Sequence, residues 1–304
     1  MMEKSRYTSK KVRLYDLLRW RFDVLFSKKG ADDCKKMTVI KESVAPQPNV
    51  ALWLGHATLW ANMNGINIII DPLFDNIPFY KRHTELPISK KKIRADIVLI
   101  THSHYDHFDM PSIKFLIKQN PNLTIVVPKG FRRYFKKYKN LIELDWWEEI
   151  NIKDVTITFV PSLHWSNRYL LDKNRTLWGG FVVNNDQCSF YHSGDTAYGE
   201  QFAEIGKRFK IGDAFLPIGA YKPEYIMRHN HLDPQEALAA CADLGVQRFI
   251  PVHYGTFKLS DESLCEPLEW LEKLLQEQKY PFATLPFAIG EAIYLSKIST
   301  LKST

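Results

Sequence analysis

Apolar positions change period along the chain, and each change marks an expected structural element. From 12 to 26, Tyr15, Leu18, Phe22, Leu25 and Phe26 recur at helical spacing, with Arg13 and Arg19 off that face and Lys28 and Lys29 just beyond. This predicts an amphipathic helix. Between 49 and 71 the period drops to two, predicting strands at 49–54, 58–63 and 66–70, the last two joined by an Asn64-Gly65 hairpin turn. A short buried strand at 96–100 leads into a polar stretch, and Asp109 stands where it can cap a helix over 112–119. Strands at 123–127, 155–161, 177–183, 189–192, 214–217, 248–251 and 292–296 then alternate with helices at 130–138, 200–208, 234–244 and 262–278. Strands alone, followed by strand–helix alternation, suit two mixed sheets packed face to face with helices outside.

Composition adds a division of the chain. With 45% hydrophobic residues, 8 Trp, 14 Tyr and 18 Phe in 304 residues, one large α/β domain can fill its core. The net charge of +7 is unevenly spread: residues 1–46 hold twelve Lys/Arg against six Asp/Glu, leaving only +1 for 47–304. A basic arm, 1–46, is thus expected ahead of a near-neutral domain, 47–304. A neutral body argues against a nucleic-acid groove. In the 130–138 segment Phe131, Tyr134, Phe135 and Tyr138 form a helical stripe opposite Arg132, Arg133, Lys136 and Lys137, read as a core face with a solvated back. Residues 10–29 are suited to an anionic membrane surface; docking on the domain, or joining two copies in a homodimer, are the other uses of such a helix. No apolar run approaches the roughly 20 residues of a membrane span, and no secretory leader is evident. A cytoplasmic protein with a peripheral membrane contact, and four reduced cysteines, is the expectation.

The chemistry concentrates in Thr101-His102-Ser103-His104-Tyr105-Asp106-His107. Three imidazoles and a carboxylate in a loop this short cannot all find hydrogen-bond partners without a cation. Their nitrogen and oxygen donors suit Zn²⁺ or another first-row dication. His164, Asp195 and His253 each follow a predicted strand and supply the further ligands that two neighbouring ions need. Glycines beside Asp195 and near His253 allow tight turns there. His83 and His192 are read as ordinary hydrogen-bonded histidines.

The His-x-His-x-Asp-His pattern with a distant His, Asp and His resembles the metallo-β-lactamase superfamily. That resemblance implies a four-layer αββα sandwich with two divalent ions at one edge, Zn²⁺ favoured. It implies that His102, His104 and His164 hold one ion, that Asp106, His107 and His253 hold the other, and that Asp195 bridges them. Further strings carry a narrower likeness: Glu143-Leu144-Asp145-Trp146-Trp147-Glu148-Glu149, Leu177-Trp178-Gly179-Gly180, Pro217-Ile218-Gly219-Ala220-Tyr221, His231-Leu232-Asp233-Pro234 and His253-Tyr254-Gly255-Thr256-Phe257. In order and spacing they resemble the N-acylphosphatidylethanolamine-hydrolysing phospholipase D family. The chain departs from it between Asp71-Pro72 and Glu85-Leu86-Pro87, and again after His164.

The resemblance implies a phosphodiesterase acting on a phospholipid through a hydroxide that bridges the two ions. Asp106 would bind metal and orient the hydroxide, and His231 would stabilise charge on the phosphate or protonate the leaving group. His56 and Asp71 are expected to support the ligands from behind, and Tyr105, Trp165 and Tyr221 are candidates to line the pocket. A soluble hydrolase of a phosphorylated lactone or cyclic phosphate is the alternative. A di-iron redox or sensor protein is more remote, since such proteins commonly carry Glu where this chain has His104.

Overall fold

The computed structural model describes residues 2–10, 15, 16, 19, 37–41, 45–169 and 171–298. Two seven-stranded mixed sheets face each other. The first runs β14(Ala292–Tyr294), β1(Val50–Trp53), β2(Leu59–Met63), β3(Ile66–Ile70), β4(Ile97–Leu99), β5(Thr124–Pro128) and β6(Leu141–Leu144) from edge to edge. The second runs β13(Ala283–Thr284), β12(Arg248–Val252), β11(Asp213–Pro217), β10(Ser189–His192), β9(Gly179–Asn184), β8(Val155–Pro161) and β7(Glu149–Ile152). Helices α1(Met2–Arg6), α2(Met110–Gln119), α3(Gln201–Arg208), α4(Glu224–Met227), α5(Pro234–Leu244) and α6(Glu266–Glu277) accompany them. The expected αββα sandwich is what the chain forms.

Near-continuous apolar strands make this layering obligatory, because both faces of each sheet must leave water. Along β3, Ile68 and Ile70 enter the core between the sheets with Phe159, Phe181 and Phe215. Ile69 points the other way, joining Val98, Ile113 and Leu116 beneath α2. Full burial of such side chains contributes about 1.5–3 kcal/mol each. Helix starts follow their sequence signals. Asp109 accepts from Ser112 N at the head of α2, and Asp233 with Glu236 forms a capping box at the head of α5.

Several expectations change. The stripe at 130–138 is not a helix. Only Phe131–Tyr134 forms a 3-10 turn, and Gly130, in the left-handed region, lies too close to the Arg175 carbonyl for any side chain there. Phe131 and Phe135 are nonetheless buried, so the inward face was read correctly and its period was not. The helix expected over 262–278 begins at Glu266, because Glu262 turns inward to accept from the amides of Ala220 and Lys222. β6, β7 and α4 were not anticipated. Cys188 and Cys241 are free and buried, but Cys265 is disulfide-bonded, which corrects the expectation of four reduced thiols.

The predicted helix at 12–26 lies outside the described residues except for Tyr15, Asp16 and Arg19, which have helical backbone. Residues 4–9 of the 1–46 arm pack on the domain. Tyr7 is buried against Trp146, and its carbonyl accepts from Trp178 Nε1 at 3.1 Å. Among the described residues no helix is long and apolar enough to cross a membrane.

Candidate metal centre

The ends of β3, β4, β8, β10 and β12 deliver the chemistry to one edge of the sandwich. Asp71 follows β3, the loop from Thr101 to Asp109 follows β4, His164 follows β8, Asp195 follows β10 and His253 follows β12. His56 stands in the turn between β1 and β2. Four of these non-glycine positions carry left-handed or strained backbone at or beside the edge: His56 (φ 52°), Asp71 (φ 45°), Ala220 (φ 63°) and His253 (φ 61°). Such conformations cost on the order of 1–3 kcal/mol each and gather where function over-determines them. Hydrogen bonds supply that determination: the His253 amide donates to the His56 carbonyl at 2.9 Å, and the His56 amide to Thr256 Oγ1 at 2.8 Å.

The donor atoms fall into two adjoining groups of four, and a third group, Asp195, His231 and His253, overlaps both; within each group the atoms lie within 4.8 Å of one another. His102, His104, His164 and Asp195 make the first; His56, Asp106, His107 and His253 make the second. In the first, His102 Nε2 and His164 Nε2 approach His104 Nδ1 to 2.9 and 3.3 Å. In the second, the Nε2 atoms of His107 and His253 are 3.3 Å apart, and Asp106 Oδ2 lies 3.4 and 3.6 Å from them. Asp195 touches both groups with different oxygens. Its Oδ1 is 3.1 Å from His253 Nε2 and 3.2 Å from His107 Nε2, while Oδ2 is 3.9 Å from His102 Nε2. All seven residues expected to hold metal therefore converge.

The rings of His107 and His164 are oriented from behind. Asp71 Oδ2 meets His107 Nδ1 at 2.7 Å, and Thr101 fixes that carboxylate by donating from N at 2.8 Å and from Oγ1 at 2.6 Å. The Asn230 carbonyl lies 2.9 Å from His164 Nδ1, so Nε2 is the nitrogen that faces inward. His56 Nε2 reaches Asp106 Oδ2 at 2.9 Å, which makes His56 a buttress for Asp106. Such outer partners fix tautomer and ring angle and raise ligand basicity. His192 sits apart, bonded to the Ala57 carbonyl and the Gly194 amide, an ordinary satisfied histidine as expected.

Electrostatics prepare the same edge for cations. Burial pushes His104 down to about 4 and His102 and His164 well below the ordinary imidazole range. They are therefore neutral and ready to ligate at pH 7. Burial works to raise Asp106 and Asp195, but His107 and its neighbours outweigh it and hold both well below the carboxylate range. Asp195 Oδ1 is buried and ionised, yet no hydrogen-bond donor among the described residues is aligned on it. Buried donors drawn this close to the His107 and His253 nitrogens without an aligned hydrogen bond are unfavourable unless something lies between them, and divalent metal fits this donor set.

Some contributors left no trace in the sequence. Thr8 bridges to His164, whose amide donates to the Tyr7 carbonyl at 3.2 Å and whose carbonyl accepts from the Ser9 amide at 2.9 Å. Ser9 Oγ also donates to Asn230 Oδ1 at 2.7 Å. These contacts use backbone or small polar groups, which no motif marks; Asn230 had only its place beside His231. His231 itself lies with Nδ1 3.7 Å from Asp195 Oδ2. Of the expected pocket residues, Trp165 stands against the His104 ring at 4.5 Å and Tyr105 is part-exposed. Tyr221 is a packing residue, buried against Trp270 with its hydroxyl on Glu266.

Known proteins agree with this geometry. A family model for the beta-lactamase superfamily domain matches residues 66–254. The mitochondrial N-acyl-phosphatidylethanolamine-hydrolyzing phospholipase D of Saccharomyces cerevisiae is 35% identical over 265 residues, 82% of this chain. The chain spans 56% of that relative's length. N-acyl-phosphatidylethanolamine-hydrolyzing phospholipase D 1 of Caenorhabditis elegans is 30% identical over 250 residues, 75% of this chain and 70% of that protein. Among solved structures, an isothiocyanate hydrolase from Delia radicum gut bacteria superposes with a TM-score of 0.65 at 20% identity, covering 81% of this chain and 99% of that one. Likeness at that identity carries the fold alone. The domain match and these two relatives lead to one conclusion: the chain belongs to the metallo-β-lactamase superfamily and, within it, is similar to the N-acyl-phosphatidylethanolamine-hydrolyzing phospholipases D.

Proposed function

We propose that the protein is a metal-dependent phosphodiesterase of phospholipase D type. It adds water across the distal phosphate ester of an N-acylphosphatidylethanolamine-like phospholipid, giving an N-acylethanolamine and a phosphatidic acid. The observation that carries this reading is Asp195, whose two oxygens face two separate His-rich groups. That arrangement suits a pair of neighbouring ions, with Zn²⁺ the favoured metal for these donors. The similarity to two phospholipases D supplies the substrate class.

When bound, two such ions supply an activated water at neutral pH and a Lewis-acid clamp for phosphoryl oxygens. The chain's own residues do the rest. Asp106 is the more exposed of the two acidic ligands, 16% against 2% for Asp195. It therefore stands at the mouth, where it can hold the proton of an attacking water. His231 is 13% exposed at the same mouth, and burial pushes its imidazole down to about 4. A neutral ring is a poor general acid, so donation of a hydrogen bond to a phosphate oxygen is its better role. The basic segment 10–29, with seven Lys/Arg and two Asp/Glu, provides a peripheral contact for anionic lipid.

The direct test is turnover of bis(p-nitrophenyl) phosphate by purified, zinc-supplemented protein. Hydrolysis that is lost on chelation and returns with metal supports the reading. No hydrolysis of this or any other phosphodiester would reject it.

A further inference from the structure

Six of the ten large apolar side chains exposed among the described residues stand on loops that leave the metal edge: Phe79, Tyr80, Tyr105, Tyr169, Leu171 and Tyr198. Three are exposed to a degree that packing within the chain does not explain. Phe79 is 101% exposed, Leu171 87% and Tyr169 60%. Phe79 also holds a φ of 71°, which is costly for a bulky aromatic residue. Exposed single apolar residues need no explanation, but a cluster around one opening does.

The two tips flank the metal centre from opposite groups. The Phe79 loop follows β3. Beyond it, Arg82 lies over the Phe257 ring at 5.9 Å, and Phe257 packs edge-on against His56 at 5.3 Å. The Tyr169 and Leu171 loop follows β8 and His164. There Lys173 stacks on Trp165 at 4.4 Å, and Trp165 stands against His104. Beside this second tip is a hollow of about 710 Å³ lined by Arg133, Lys136, Arg168 and Arg175. Its one carboxylate, Asp172, already accepts from the amides of Arg168 and Tyr169 and from the Tyr134 hydroxyl at 2.7–2.9 Å. The hollow thus presents excess positive charge next to apolar tips. Apolar side chains that enter an interface, backed by cations that meet anionic headgroups, are what binding to a lipid surface requires.

We propose that these loops form a docking rim that seats the metal edge on an anionic phospholipid surface, with Phe79, Tyr169 and Leu171 inserted and the Arg133–Lys136 side facing headgroup phosphates. The inference rests on the phospholipid reading above and gives that site its access route. Substrate then reaches the ions from the bilayer without leaving it.

Co-sedimentation of the full chain with vesicles tests the rim independently of turnover. Vesicles of phosphatidylglycerol mixed with phosphatidylcholine should bind wild type more tightly than phosphatidylcholine alone. The triple substitution Phe79→Ser, Tyr169→Ser and Leu171→Ser should weaken vesicle binding at least tenfold, and Arg133→Glu with Lys136→Glu should reduce the preference for anionic lipid to the share that residues 10–29 supply. Both should still hydrolyse bis(p-nitrophenyl) phosphate at the wild-type rate. If the triple variant loses that activity, Leu171→Ser alone carries the test, since a side chain so exposed supports no packing. Variants that sediment like wild type would overturn the rim while leaving the phosphodiesterase reading intact. So would a wild type that ignores vesicles, or that binds duplex DNA in their place. Failure to cleave any phosphodiester would instead strike the reading on which the rim rests.

Discussion

Replacing Asp71 by Asn changes one atom outside the ligand set, yet it should disable half of the metal centre. The Asp71 carboxylate is fully buried and accepts three hydrogen bonds, from Thr101 N at 2.8 Å, Thr101 Oγ1 at 2.6 Å and His107 Nδ1 at 2.7 Å. An Asn keeps its carbonyl on the Thr101 amide and turns an NH₂ toward His107. His107 Nδ1 must then become the acceptor, which moves the ring proton to Nε2. That nitrogen is the one directed at His253 and Asp195. The ligand lone pair is lost without any change of shape. A charge-assisted hydrogen bond contributes about 1.5–3 kcal/mol, which agrees with the 10–100-fold, or about 1.4–2.7 kcal/mol, lost when such an outer partner of a metal ligand is altered. Competition titration with a chromogenic chelator reads the two sites separately. Asp71→Asn should retain one tight equivalent, in the His102, His104 and His164 group, and weaken the other by 10–100-fold. Two equivalents bound with wild-type affinity would mean that the Asp71 contact does not set the His107 tautomer.

Other predictions follow from the same geometry. Asp195→Asn should lower occupancy at both sites in elemental analysis, whereas loss of a single equivalent would mean that it does not bridge. His231→Ala should reduce phosphodiester turnover by roughly 10²–10³-fold, the range for a hydrogen-bond donor to transition-state charge, with metal content unchanged; loss of metal would make His231 a ligand instead. Deleting residues 1–9 should weaken the His164 site and spare the His107 site, since Tyr7 and Ser9 hold the His164 backbone; equal loss at both, by competition titration, would contradict this. At Gly194 (φ 60°), a Cβ would lie 2.7 Å from Thr101 Cβ and 2.9 Å from the Gly179 carbonyl. Gly194→Ala should therefore destabilise by about 2–4 kcal/mol in denaturant titration, and an unchanged midpoint would show that the turn can yield.

Much of the site was legible because its chemistry is carried by residue types that are costly in any other setting. A cluster such as His102, His104, Asp106 and His107 has few uses besides a cation, and His164, Asp195 and His253 shared its position at strand ends. The strands were legible for a similar reason: Ile66–Ile70 and its hairpin follow directly from period two and Asn64-Gly65. Failure came where tertiary contacts override local period. The aromatic stripe at 130–138 has helical spacing, but Gly130 wedges against the Arg175 backbone and Glu143 takes the amides of Gly130 and Arg132, so a 3-10 turn results. Glu262 likewise leaves the expected helix start to cap Ala220 and Lys222. The strap of Tyr7 to Ser9 was invisible because its hold on His164 is made by backbone groups, which every sequence possesses.

On the proposed function, the chain would break a phosphorus–oxygen bond of an N-acylated phospholipid with water activated at the metal edge. Incubation of metal-loaded protein with N-acylphosphatidylethanolamine in ¹⁸O-labelled water, followed by mass spectrometry of both products, tests it most directly. The expected products are N-acylethanolamine without label and phosphatidic acid with one ¹⁸O in its phosphate, both absent after chelation. Label in the N-acylethanolamine, products that persist without metal, or no cleavage at all would contradict it.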